Sequence, residues 1–513
     1  MRTLTALMVT WSLAVPALPG GVTLAAQDAS PYVPLQHRAM PVVEHLIATG
    51  VIADPTPLTR PIRESALVRA LRAADTAAAP APVRGVVRQL LREFDRETGE
   101  RRYAVTGEAG AAAATHALRD PLEIGRGAPP RAEGKDRGFT TGGLALHARL
   151  GPLVAVTHPY FDTRLKHDPD YLGKKDRFIA GRNAEAYLDA RWRYGGVFFG
   201  SLDRNWGPPA LQGLIVSPSP YSYDHLALTI GTSRVELQAL LTQLDDMNDT
   251  SGTANHRYFI VHRLLVRPGR RTTVALWEGN VIAGPARTLE PSFANILNLG
   301  LLVEYDQNVA VNSLLGADVE FRLGSGKLFG QLLLDDFQID RRTQTDREPP
   351  QYGLTLGAQT ALHGISWTAF YTRVANLTYR TSNPPETLQH RFVGLARSFS
   401  DYDQLTLTAS ALAAPELLLA PEATLLRQGE GDFRLPYPPA SAYATTPTFL
   451  SGVVERTARL ALDAGWQRGA WGLAGNGGVH FVRNAGHVSG ARETRWVGSL
   501  SLSYRFRFAG ELP

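Results

Sequence analysis

From Phe139 to Phe508 the side chains alternate in character with a period of two, and the alternation is clearest near the end of the chain. Trp496, Gly498, Leu500, Leu502, Tyr504, Phe506 and Phe508 share one face of an extended segment, while Val497, Ser499, Ser501, Ser503, Arg505 and Arg507 share the other. Successive residues of a strand point to opposite sides, so one side of this segment suits hydrocarbon and the other suits water. The same division recurs far away in sequence. Ala186, Leu188, Ala190, Trp192 and Tyr194 oppose Glu185, Tyr187, Asp189, Arg191 and Arg193, and Leu460, Leu462, Ala464 and Trp466 oppose Arg459 and Asp463. In a β-sandwich these charges would have to be buried in the core at a large desolvation cost. A closed cylinder with a polar interior removes that cost, which predicts an all-β transmembrane barrel of antiparallel strands over residues 139–508. At about 20 residues per strand and connection, the segment holds roughly 18 strands.

Aromatic residues gather near strand ends, as with Trp192 and Tyr194, Trp466 and Trp471, and Trp496 opposite Phe508. Interfacial girdles explain this, although the general β-propensity of aromatic residues is an alternative. A soluble propeller would show a blade-length repeat, and none is visible. Mean hydropathy is −0.14 and 44% of the 513 residues are hydrophobic. That average suits a barrel, because only half of each strand must be apolar.

The net charge of +5 is spread without a basic block, which argues against a nucleic-acid partner. The absence of cysteine excludes disulfides, thiolate metal sites and cysteine nucleophiles. Residues 1–26 read as a signal peptide: Met1 and Arg2 precede an apolar stretch containing Pro16, Pro19, Gly20 and Gly21, with Ala26 or Ala17 as the cleavage position. The prolines and glycines make a continuous spanning helix a poor alternative.

Residues 27–100 are expected to form a small α-helical periplasmic or plug segment. Apolar residues recur at helical spacing in Val42, Val43, Leu46, Ile47, then in Leu67, Val68, Leu71, then in Val83, Val86, Val87, Leu90, Leu91 and Phe94. Helices this short are not stable alone and must pack on one another or on the barrel mouth. Residues 101–138 read as a linker with a possible first strand near Tyr103 to Gly107, and residues 509–513 as a tail. Residues 380–390 and 415–449 read as the longest loops, which the barrel rule places outside.

The most distinctive local sequence is Ser201-Leu202-Asp203-Arg204-Asn205-Trp206-Gly207-Pro208-Pro209, followed by Leu211-Gln212-Gly213-Leu214-Ile215-Val216-Ser217. A second is His262-Arg263-Leu264, a basic turn from Arg267 to Arg271, and Val274-Ala275-Leu276-Trp277-Glu278. Together with Pro41-Val42-Val43-Glu44-His45-Leu46, Gly50-Val51-Ile52 and Thr59-Arg60-Pro61, these resemble the capsule-assembly Wzi family of outer-membrane proteins. The resemblance implies an outer-membrane location and a lectin-like role in attaching capsular or exopolysaccharide without catalysis. Pro218-Ser219-Pro220 departs from the family, which often has an Asn-containing turn there. A final aromatic is the usual signal to the barrel-assembly machinery, and here Ala509 to Pro513 follow Phe508.

Gly207, Pro208 and Pro209 would end a strand and fix a rigid turn that holds Trp206. A fixed Trp206 can stack on a sugar beside Asp203 and Arg204, with His262, Arg263 and Glu278 as further candidates for polysaccharide binding. The competing reading makes Asp203 and Arg204 a lumenal ion pair and gives His262 and Glu278 structural roles. His158, Asp162, His167 and Asp168 match no strong metal spacing, and Asp245, Asp246, Asn248 and Asp249 lack the spacing of a calcium loop. No nucleophile-elbow pattern supports a hydrolase, and no metal or cofactor is expected. The alternative to a polysaccharide-binding barrel is a passive porin-like channel for small solutes, which a lumen of mixed charge also suits. Outer-membrane lipid is the expected surround in either case.

Overall fold

The computed structural model describes residues 29–77, 79–95, 101–115, 138–168, 171, 173–218, 221–336 and 347–512. The expected signal peptide lies outside the described residues. The architecture is a closed barrel of 18 antiparallel strands, each paired with its neighbours in chain order, and the last strand, Arg492–Glu511, closes on the first, Arg101–Ala114. The outer wall carries the apolar face read from the sequence, with Leu188, Leu460, Trp496, Leu500 and Phe508 all exposed, whereas Glu185, Asp189 and Arg459 point into the lumen and are buried. A closed barrel leaves no strand edge unpaired, and an apolar exterior with all backbone bonds made internally is the only β architecture that can span hydrocarbon. The protein is an outer-membrane β-barrel.

One end of the barrel has only tight connections, among them 150–153, 323–326, 362–365, 414–417 and 468–471. The other end carries every long connection, including 202–223, 285–311, 375–401 and 429–454. Short turns mark the periplasmic side and long loops the outer side. Trp471 and Tyr504, in edge-to-face contact at 4.9 Å, sit with Tyr103 and Tyr194 near the short-turn end of the outer wall, as a girdle requires.

Three boundaries differ from the sequence reading. Barrel pairing begins at Arg101 instead of Phe139, and the run Ala109–Ala114, low in β-propensity, is strand because it is paired on both sides. The terminal strand continues past Phe508 to Glu511, opposite Arg102, so the expected tail is largely wall. Pro415 lies in a tight turn at the short-turn end and Leu417–Gln428 is strand, which shortens the outer loop there to residues 429–454.

The N-terminal segment forms α1 (Met40–Ala48), α2 (Glu64–Arg72) and α3 (Ala81–Phe94). Their apolar stripes meet in one cluster built on Val43, Leu46, Leu67, Leu71, Val87 and Phe94, with Leu412 of the wall packed against it. The bundle occupies the short-turn mouth. His45 Nδ1 lies 2.7 Å from Ser410 Oγ, Gly85 meets Pro415, and Arg505 lies 3.6 Å from Glu93. Arg63 makes a bidentate pair with lumenal Asp189 at 2.8 and 2.9 Å.

Candidate functional site

An 18-strand wall encloses more volume than its own side chains can fill. Here two outer loops and the N-terminal segment meet inside it. Trp206, Leu214, Ile215 and Val216 of the first loop pack with Tyr379, Leu388, Leu395 and Phe399 of the 375–401 loop, against Leu240, Phe259, Trp277 and Leu333 of the wall. Residues 380–390 therefore belong to an outer loop, but one that folds into the lumen.

Asn205–Trp206 pairs as a two-residue strand with Thr59–Arg60 of the N-terminal segment. Two stretches that carry the family resemblance, Trp-Gly-Pro and Thr-Arg-Pro, are thus hydrogen-bonded to each other. Asn205 braces the turn by donating to Leu211 O at 2.9 Å and accepting from Gly213 N at 2.7 Å. Gly207 has φ +132°, a conformation that favours glycine, and a Cβ there would stand 2.7 Å from Gln331 Nε2 and push on that side chain.

Asp318 is the hub beneath this loop. It accepts from Arg263 Nη2 at 2.8 Å, Trp277 Nε1 at 3.0 Å and Gln331 Nε2 at 2.6 Å. Arg263 also donates to Leu58 O and Thr59 Oγ1, both at 2.9 Å, and its guanidinium stands 5.3 Å from the Trp206 ring. Trp206 is 3% exposed. Two of the donors that Asp318 holds reach beyond the wall, Arg263 to the N-terminal segment and Gln331, whose Nε2 donates to Trp206 O at 3.1 Å, to the loop. Asp318 and Gln331 escaped the sequence reading because no local motif marks them.

His262 and Glu278 lie on the opposite side of the wall. Arg263 faces the lumen, so its strand neighbour His262 must face outward, and His262 pairs in register with Glu278. This parity was available from the sequence, since adjacent strand residues cannot line one site. Outside the barrel, the loop 285–311 folds back over the wall as α4 (Pro291–Ala294) and α5 (Gly300–Gln307). Glu278 accepts from Gly300 N at 2.8 and 2.9 Å, and His262 Nδ1 lies 3.1 Å from its Oε1. A Cβ on Gly300 would stand 2.3 Å from Asn280 Nδ2, so any larger residue here would have to displace the Asn280 side chain. Phe293 and Val303 pack on Ile260 and Ile282 beneath, while Leu297, Leu302 and Tyr305 face out.

Asp203 and Arg204 lie on the lumenal side toward the outer mouth. Arg204 Nε donates to His225 Nε2 at 2.7 Å, and His225 Nδ1 lies 3.0 Å from Tyr223 O, two bonds that a neutral ring carrying its proton on Nδ1 satisfies together. The guanidinium of Arg204 also sits 4.4 Å over the Phe198 ring. Above Tyr223 a cleft of about 490 Å³ opens at the long-loop end, lined by Tyr171, Arg182, Asn183, Tyr221, Ser222 and His390 among others. Tyr171 and Tyr221 meet edge to face at 6.3 Å, Arg182 stacks 4.8 Å over Tyr221, and Tyr223 lies 5.9 Å from the His390 ring. Tyr221 donates to Asp168, which fixes its ring. The cleft combines aromatic faces with hydrogen-bonding groups held by neighbours. Tyr171, Tyr221, Tyr223 and Arg182 were not among the sequence candidates; the close spacing of Tyr221 and Tyr223 after a proline-rich turn is the signal that marks them.

No group of His, Asp and Glu among the described residues has the arrangement of a metal site. Asp162 pairs with Arg164 at 2.9 Å, Asp245 with His390 at 3.3 Å and Asp246 with His256 at 3.1 Å, while Asp249 caps its own turn by accepting from Ser251 and Thr253.

No protein-family model and no curated protein matches this chain. Among solved structures, it is similar to Wzi of Escherichia coli, an outer membrane protein involved in group 1 capsule assembly and described as a carbohydrate-binding β-barrel. The match has a TM-score of 0.59 at 12% identity and covers 91% of this chain and 98% of Wzi. Weaker likenesses include OprD of Pseudomonas aeruginosa, with TM-score 0.44, 10% identity and 80% and 96% coverage, and opdK of the same organism, with TM-score 0.45, 12% identity and 80% and 99% coverage. At these identities what is shared is the fold, and it is the Wzi-like fold of an 18-strand outer-membrane barrel.

Proposed function

We propose that this protein binds polysaccharide at the outer mouth of its barrel and helps retain it at the cell surface, without chemistry. The observation that carries this reading is the tyrosine cleft, which stands above a lumen occupied by buried apolar side chains. Sugar rings present flat C–H faces that stack on aromatic rings, and their hydroxyls take hydrogen bonds from groups such as Arg182, Asn183 and Ser222. The Wzi-like fold supports the reading, since Wzi is itself described as carbohydrate-binding. In this view Asp203 and Arg204 support the cleft from below through His225 and Tyr223. Trp206 and Arg263 hold the lumen packing, and His262 with Glu278 clasps the outer-wall loop.

The test is calorimetric titration of the purified protein in detergent with the surface polysaccharide of its own cells. The double substitution Tyr221→Ala with Arg182→Ala should weaken binding at least tenfold, and an unchanged affinity defeats the proposal. In a deletion strain, polysaccharide should move from the cell-associated to the released fraction. Steady single-channel conductance by the wild-type protein would favour the porin reading instead.

A further inference from the structure

At the short-turn mouth a second cleft, of about 420 Å³, lies between residues 54–57 of the N-terminal segment and the barrel rim. Arg234, Arg267, Arg270 and Arg322 line it, together with Ser233 and Thr273, and Arg271 adjoins it. The scaffold is braced by backbone. Arg267 N donates to Arg234 O at 2.7 Å, Arg322 N donates to Arg271 O at 2.8 Å, and Arg267 Nη1 donates to Ser233 O at 2.9 Å. Three connections of the wall are thereby tied together with their arginines on one cleft.

The acids nearby are already engaged. Asp54 takes both its oxygens to Arg60, at 3.1 and 3.0 Å, and accepts from Thr56 N. Glu320 is shared between Arg322 at 3.2 Å and Lys327 at 3.1 Å. Among the described residues, the side chains of Arg234, Arg270 and Arg271 make no hydrogen bond or ion pair. Like charges held together without a counter-ion repel over roughly a Debye length, about 10 Å at 0.1 M salt, so the cluster is poised for an anion from outside the chain.

We propose that this cleft is a binding site for a phosphate group at the periplasmic mouth, carried by a lipid headgroup or by a soluble phosphate compound. Guanidinium groups reaching in from separate turns suit a tetrahedral oxyanion with several acceptor oxygens, because each planar fork can take two of them. Ser233 and Thr273 add hydroxyl donors on the same cleft. This site lies at the opposite end of the barrel from the tyrosine cleft and does not depend on the polysaccharide reading.

The test uses the full-length protein in two arms. Inorganic phosphate and pyrophosphate are titrated calorimetrically in neutral detergent. In parallel, the protein is placed in nanodiscs of phosphatidylcholine with or without phosphatidylglycerol, and retained lipid is read by native mass spectrometry. Saturable binding that weakens as sodium chloride rises is expected, at least tenfold weaker in the double variant Arg234→Gln with Arg270→Gln and unchanged in Arg468→Gln, an exposed arginine at another turn of the same end. Both substituted residues of the double variant are exposed, and an unaltered heat-dependent gel mobility confirms that the barrel has folded. Binding in the detergent arm alone identifies a soluble phosphate as the ligand, and selective phosphatidylglycerol retention identifies the headgroup. The proposal is overturned if neither arm shows saturable binding, or if the double variant binds as the wild type does.

Discussion

Three donors from the wall converge on Asp318, and one of them, Arg263, reaches on to the N-terminal segment. Removing the carboxylate leaves a fully buried guanidinium without its counter-charge, a change that costs roughly 3–5 kcal/mol. Asp318→Ala should therefore loosen residues 54–60, seen as new protease cleavage in that segment, while Asp318→Asn, which keeps two acceptor positions for the neutral donors, should cost less. Equal behaviour of the two variants would show that charge is not what Asp318 supplies. A second residue acts through pH. Burial pushes the Glu64 carboxyl up to about 8, with Glu93 and Glu185 adding to the shift against the opposing charge of Arg507, and among the described residues its Oε2 has no hydrogen-bond partner. When the segment unfolds, this acid returns to an ordinary carboxylate range. Below pH 4.5 both states hold the proton and its contribution is complete; between 4.5 and about 8 the unfolded state ionises first, so stability falls as pH rises. At about 1.4 kcal/mol per unit the effect is bounded near 5 kcal/mol. Glu64→Gln should raise the thermal midpoint of the N-terminal segment at pH 8 and leave it unchanged at pH 4. A uniform shift at both pH values would assign the effect to packing.

Among the elements, α4 and α5 show how far a short helix can depend on one contact. The eight residues of α5 cannot hold helical form alone, and its first free N–H groups face the Glu278 carboxylate, which satisfies Gly300 and complements the helix dipole. Glu278→Gln halves this arrangement by removing the charge and one acceptor. Proteolysis within residues 285–311 should then rise several-fold with the barrel intact, and unchanged protection would mean that Phe293 and Val303 seat the loop without the clasp. The sequence displayed the wall but not this covering. Alternation exposed which strand residues face lipid and which face the lumen, and helical spacing placed α1, α2 and α3, because both patterns are local. The ends of the first and last strands were hidden, since Ala109–Ala114 and Ala509–Glu511 have little β-propensity and gain their strand state only from pairing across the closure of the barrel. The candidate site was legible only in pieces. Trp206 and Arg263 do meet, but the partners that define their role, Asp318 and Gln331, lie more than 50 and more than 100 residues away, one brought in by the pairing of the wall and the other by a loop folding inward.

At the scale of the whole molecule, the question is what a lumen too wide for its own wall residues is used for. A barrel of this strand number left empty passes solutes. Here the interior is crossed by the 202–217 segment, packed by the 375–401 loop and occupied at the short-turn end by a three-helix bundle held through Arg63 and Asp189. Arg257, fully buried, fixes the inward loop by donating to Thr387 O at 2.6 Å and Gln389 O at 3.1 Å, and Asp401 ties it to the neighbouring loop through Leu450 N and Ser451 N at 2.6 and 2.8 Å. These are polar contacts out of bulk water, where releasing one partner strands the other at a cost of about 1–3 kcal/mol or more. A lumen built this way should resist ions as a unit, and it should leak when its lower seal is weakened. Wild-type protein in planar bilayers should show no steady current. Arg63→Ala, which leaves Asp189 without its bidentate partner, should show intermittent openings while the barrel keeps its heat-dependent mobility on gels. Openings in the variant but not in the wild type would locate the seal in the N-terminal segment; persistent silence in both would place it in the two outer loops, whose apolar cluster does not involve Arg63.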